Sequence, residues 1–336
     1  MFPHLHGLRR AISIAALAIF AIIRTAATAP AQDRHKGYQP DSVPEHLLSA
    51  RNQQQAGEYQ AARNILLRAL TQAPNSASLL NQLGSVQQDL GEYLEAERSY
   101  LRALSASSEG AREVEHVFTL HNLATLYLDT GQYAKGERVR EQLQKLPPGV
   151  LDNHPAEVGV LWNVIGSLEH ARDRDDEAER YYSRSLTLLR QARGPASVEA
   201  GAVETNRGFM RLQKGEYTSA ASLLEQAIRE TEIASGPETP ALIRPLILSA
   251  KCQNMIGHAN EAEVLARRAV ELSAKFAGEG HPQTATAMLE QAAALRRLHR
   301  KDSARHLEKR AKAGLQRNST INLSGYTIGL RDLSRR

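Results

Sequence analysis

The chain has 336 residues, with 42 Lys and Arg against 37 Asp and Glu, a formal net charge of +5, and Phe, Trp and Tyr at only 5%. So few aromatics exclude a large aromatic core, and the single cysteine, Cys252, excludes an intramolecular disulfide. Ala, Leu, Glu, Arg and Gln dominate instead, all strong helix formers, so an all-α fold built on small-residue contacts is expected.

At the N-terminus Arg9 and Arg10 precede an apolar run over residues 11–23, and Ala27-Thr28-Ala29 and Ala29-Pro30-Ala31 follow as cleavage sites. That is the layout of a secretory signal peptide over residues 1–31, and the run is short of the roughly 20 residues that span a membrane. The expected location is therefore periplasmic or extracellular. The alternative is an uncleaved signal anchor, in which case the membrane is met only through this segment. Cleavage removes Arg9, Arg10 and Arg24 and no acid, which brings +5 down to +2, so no nucleic acid partner is expected. Residues 32–44, polar and containing Pro40 and Pro44, read as a flexible linker.

Beyond the linker the chain repeats itself. Small residues recur at Ala62, Ala96, Gly136, Ala178, Ala220, Ala262 and Ala304, at separations of 34, 40, 42, 42, 42 and 42. Five places before these anchors stand Gly57, Gly91, Gly131, Gly215 and Gly257, suited to the positive φ that ends a helix, with Asp173 and His299 in the two remaining places. Tyr59, Tyr93, Tyr133 and Tyr217 follow two places after a glycine. Seven residues beyond the anchors come Ala69, Ala103, Ala227, Ala269 and Ala311, with Ser185 and Leu143 as the departures. Two turns apart, anchor and follower share one helix face and let a neighbouring helix come close. Upstream of the glycines, Leu83-Gly84, Leu123-Ala124 and Ile165-Gly166 offer the matching large-small contact, and Trp162 is the only tryptophan at its position. Each unit is then a helical hairpin that must stack on the next to bury its apolar face. The expected fold is all-α, a right-handed solenoid of seven hairpins over residues 45–316, with repeats at about 43–76, 77–110, 117–150, 159–192, 201–234, 243–276 and 285–317.

The second unit, LLNQLGSVQQDLGEYLEAERSYLRAL, resembles the tetratricopeptide repeat pattern nearly throughout. The 42-residue units resemble the longer subclass found in kinesin light chains, with His154-Pro155 and His281-Pro282 before the first helix and Thr239-Pro240 at the corresponding place. Gly136 and Trp162 depart from the pattern, and looser packing is expected in their units. The resemblance implies a binding scaffold and carries no cargo.

No H-E-x-x-H, P-loop, G-x-S-x-G, paired cysteines or glycine-rich dinucleotide turn occurs, so no catalytic residue, metal site or cofactor is assigned. Glu169 and His170 are adjacent on a helix and point apart, poor geometry for acid-base work. Stacked first helices line a concave groove, and the groove side is expected to carry Asn81, His121, Asn122, Asn163, Ser167, His170 and Asn206. Asparagine offers a donor and an acceptor together, which suits the backbone of an extended peptide or partner protein. The first three units present Leu47, Arg51, Gln82, Phe118 and Asn122 where a basic carboxylate clamp would stand, so that device is absent. The expected function is a non-enzymatic, exported protein-protein interaction scaffold. The alternative is a membrane-anchored accessory subunit of an envelope secretion or polymer-export complex. Residues 317–336 read as a basic tail that is strand-like or disordered, with Asn318-Ser319-Thr320 a formal glycosylation sequon.

Overall fold

The computed structural model describes residues 43–107, 113–145, 151 and 153–321. The expected signal segment, nearly all of the expected linker, and residues 322–336 of the expected tail lie outside the described residues. Within them the chain is α-helical, with one short 3-10 turn and no strand. Seven hairpins follow in order: α1 (Val43–Gln55) with α2 (Tyr59–Gln72), α3 (Ala77–Asp89) with α4 (Tyr93–Ser107), α5 (Glu113–Asp129) with α6 (Tyr133–Gln144), α7 (Pro155–His170) with α8 (Asp175–Arg193), α9 (Val198–Gln213) with α10 (Tyr217–Ser235), α11 (Ile243–Ile256) with α12 (Ala259–Ala277), and α13 (Pro282–Arg297) with α14 (Lys301–Ile321).

The hairpin turns follow from the sequence clock. Asp173 and His299, which stand in glycine places, are held at φ 60° and 61°, the left-handed conformation the turn demands of whatever residue sits there. First helices start where a donor is dispensable or capped. Proline opens α7 and α13, while the Ser197 hydroxyl accepts from the Ala200 N-H at 3.0 Å and His281 accepts from the Gln283 N-H at 3.2 Å. These starts lie a few residues ahead of the repeat bounds counted from the anchors, and α1 already takes in the last two residues assigned to the linker. At the other end α14 runs on to Ile321, so the sequon is helical backbone and the tail begins inside the last helix.

The anchors do what their size implies. Ala62, Ala96, Ala178, Ala220, Ala262 and Ala304 are all fully buried, as are the followers Ala103, Ser185, Ala227, Ala269 and Ala311. Ala96 lies in a cluster with Tyr93, Tyr100, Val117 and Leu120 that joins the second hairpin to the third. Ala96→Leu is expected to overpack this contact and lower stability by about 1 to 3 kcal/mol, read from urea denaturation of the full chain. A parental unfolding midpoint would show that the alanine face is not the packed one. The large-small contact is explicit at Gly84, where an added Cβ would stand 2.6 Å from the Tyr100 ring, and at Gly166, 2.8 Å from that of Tyr182. Gly136 has a packing role too. The space its missing methyl leaves is taken by Leu168 of the next hairpin, whose Cδ2 would be 2.8 Å from a Cβ there. Trp162, half-buried, packs against the same central cluster and carries the Arg184 guanidinium 5.6 Å from its ring centroid. Cys252 is fully buried, and burial pushes its thiol up to about 12, which makes it a packing group.

Curvature comes from unequal contact between the two rows. Each first helix packs directly on the first helix of the next hairpin, whereas second helices pack chiefly against first helices. The first-helix row is therefore the shorter, inner row, and α1, α3, α5, α7, α9, α11 and α13 face the concave side.

Candidate functional site: the concave groove

All seven groove residues expected from the sequence are half-buried on first helices. Four of them pair across hairpins. The Asn122 side-chain amide donates to Asn81 Oδ1 at 3.1 Å, and that of Asn206 donates to Asn163 Oδ1 at 2.9 Å. Asn81 and Asn163 each stand one residue earlier relative to their anchors than Asn122 and Asn206, and this stagger is what lets adjacent helices meet. Each rung uses one donor and one acceptor and leaves the remaining N-H groups and the Oδ1 of Asn122 and Asn206 for solvent or a ligand.

The other three are differently engaged. Ser167 accepts from the Tyr182 hydroxyl at 3.1 Å and donates to the Asn163 carbonyl at 3.1 Å, so its hydroxyl serves the fold. His170 Nδ1 lies 2.6 Å from Asp175 Oδ1, and Lys214 reaches the same carboxylate at 2.8 Å. The imidazole also meets Phe209 edge-on, at 5.9 Å between centroids. Glu169 takes other partners entirely, with Arg140, Arg174 and Arg172 at 3.4, 3.6 and 3.9 Å, so the adjacent acid and imidazole do not work together. His121 stands where Asn81 and Asn163 stand in their units, its Nδ1 has no hydrogen-bond partner, and burial pushes its pKa down to about 4. Its ring is neutral at pH 7.

Three groove residues escaped the sequence reading. Asp89 and Asp129 each stand two places before a hairpin glycine, and burial raises both carboxyls above the usual range, Asp89 to about 6. The Gln54 amide donates to Asp89, and the Gln88 amide to Asp129 at 2.9 Å. Arg244 on α11 stacks 5.8 Å from the Phe209 ring centroid, and its charge is felt at Asp129 three hairpins away, where it holds that carboxyl down against burial. The recurrent Asp before Gly91 and Gly131 was the available signal. Its meaning depends on the curvature that brings α11 opposite α5. Among the described residues no His, Cys, Asp and Glu cluster is arranged to hold a metal ion.

A family model described as tetratricopeptide repeat matches residues 75–138 and 157–232. The chain carries tetratricopeptide repeats over these two segments. Solved structures sharing the fold include a Rap protein complexed with Competence and Sporulation Factor, at TM-score 0.59 and 12% identity, covering 93% of this chain and 95% of that one. The apo quorum sensor NprR from B. thuringiensis aligns at TM-score 0.54 and 15% identity, over 77% of this chain and 72% of that one. Repeats of a putative kinesin light chain from Podosopora anserina align at TM-score 0.42 and 20% identity, over 61% of this chain and 96% of that one. For the Rap and NprR structures the likeness is one of fold. No curated protein matches the chain in sequence. The family model covers the second to fifth hairpins of the repeat array, the stretch that carries both asparagine rungs.

Proposed function

We propose that the array is an exported interaction scaffold that holds an extended segment of a partner protein, or a peptide, along its concave groove. The observation that carries this reading is the pair of asparagine rungs, which place unused amide donors and acceptors at intervals along the inner row of helices. An extended backbone presents alternating N-H and C=O groups with no regard to side chain, and such rungs can satisfy them. The chain shares its fold with a Rap protein complexed with Competence and Sporulation Factor, which supports a binding role for the array. Export rests on the layout of residues 1–31, and N-terminal sequencing of the mature protein checks it. A start at Pro30 or Gln32 fits cleavage, and a retained Met1 fits a membrane anchor.

Affinity capture from an envelope extract with the full chain, followed by titration of the captured partner, tests the groove. Replacing Asn122 and Asn206 together by alanine is expected to weaken binding by about 1 to 3 kcal/mol per lost pairing, since ligand groups are left buried and unpaired. Because each asparagine also joins two hairpins, the double variant is expected to lose about 1 kcal/mol of stability per rung as well. Unchanged affinity would place the interaction elsewhere. Truncation after Ile321, which leaves every hairpin in place, then asks whether the basic tail holds the partner.

A further inference from the structure

A stack of hairpins needs contact only between neighbours, so the first hairpin has no structural reason to touch the sixth. Here it does. Phe276, in the last turn of α12, packs with Leu242, Ile243 and Leu272 of its own hairpin and also against the apolar cluster of the first two hairpins, which contains Ala50, Tyr59 and Leu66. Ala277 joins it there. The ring lies over the first hairpin turn, where a Cβ on Gly57 would stand 2.2 Å from Phe276 Cδ1 and 2.9 Å from Cε1. Gly57 is thus required twice, by its φ of 79° and by the ring seated on it. The hairpin turns at Gly131 and Gly257 are open by comparison, since an added Cβ there would meet nothing within 4 Å. A second observation agrees from inside the groove, where Arg244 of the sixth hairpin is close enough to act on Asp129 of the third.

We propose that Phe276 is a latch that closes the array on itself by seating on Gly57, so that the groove is an enclosed lumen and an extended chain enters or leaves it through release of this contact. One half-buried aromatic ring is a modest closure between two hairpins that are each held by their own cores, and it opens without unfolding either. Lys275, 5.3 Å from the ring centroid and paired with Glu238 at 2.6 Å, keeps the outer face of the latch at the solvent boundary.

Spin labels on the full chain test this, at Asn52→Cys on α1 and Glu271→Cys on α12, both exposed positions. Cys252 is buried and stays unlabelled. The parent is expected to give one short, narrow distance distribution. Phe276→Ala is expected to lengthen it by on the order of 10 Å, about one helix diameter, and to broaden it, with helix content unchanged by circular dichroism. Gly57→Asn is the second arm. Asparagine tolerates positive φ, so the turn persists while its side chain occupies the seat of the ring, and the distance is expected to lengthen equally. The latch is overturned if both variants keep the parental distribution, if the parent is already long and broad, or if only Phe276→Ala lengthens it and does so with loss of helix. Closure does not depend on the groove reading. Failed peptide capture with an intact closed distance would count against the groove alone.

Discussion

Arg207→Ala is expected to destabilise the array by about 3 to 5 kcal/mol, toward the lower end of that range. Arg207 donates to Glu204 Oε2 at 3.0 Å and to Glu179 Oε1 at 2.5 Å, and thereby ties the fourth hairpin to the fifth. Glu204 is almost completely buried, and desolvation raises its pKa even with Arg207 and Arg190 beside it. Removing Arg207 leaves that carboxylate with Arg190 at 3.2 Å and the Gln226 amide at 3.4 Å, and both are already shared with Glu230, at 2.8 and 3.0 Å. The reverse substitution costs less. In Glu204→Gln, Arg207 keeps Glu179 and Arg190 keeps Glu230, so a loss of about 1 kcal/mol is expected, that of an ordinary hydrogen bond. Urea denaturation of both variants checks the asymmetry, and equal losses would show that the network is screened by solvent.

Tyr182→Ala carries a comparable effect by a different route. The ring is 1% exposed, lies on Gly166, and sits in a cluster with Ala178, Leu186, Leu189 and Val203 that joins the fourth hairpin to the fifth. Its truncation opens a cavity that helices on both sides are too constrained to fill, at about 3 to 5 kcal/mol. Tyr182→Phe keeps the volume and loses only the hydroxyl bond to Ser167, about 1 kcal/mol. A small loss for the alanine variant, read from the same denaturation curves, would mean that the glycine seat is a loose fit.

Much of this architecture is legible in the sequence because it is local. Gly84 with Tyr100 and Gly166 with Tyr182 are intra-hairpin contacts at a fixed spacing, and the repeating period alone announces them. Even the places taken by Asp173 and His299 are readable, since the turn imposes its conformation on its occupant. Packing at Gly136 is harder to foresee. Its partner, Leu168, comes from the next hairpin, and a motif compared within one unit reads the missing methyl as slack. The asparagines show the same division. Their presence on the inner row is a matter of register, whereas their pairing needs the one-residue stagger between neighbouring helices, by which Asn163 accepts from Asn206. Least legible are Asp129 with Arg244 and Gly57 with Phe276, because superhelical curvature alone brings the third and first hairpins toward the sixth.

The most direct test of a scaffold that works through its inner face is photo-crosslinking in the intact cell with a benzophenone amino acid placed at one position at a time. Positions 122 and 206 sample the groove beside the asparagine rungs, and position 101, where Leu101 is exposed on a second helix, samples the outer row. The account predicts a shared partner adduct from 122 and 206 and none from 101. An adduct from 101 with none from either groove position would contradict it.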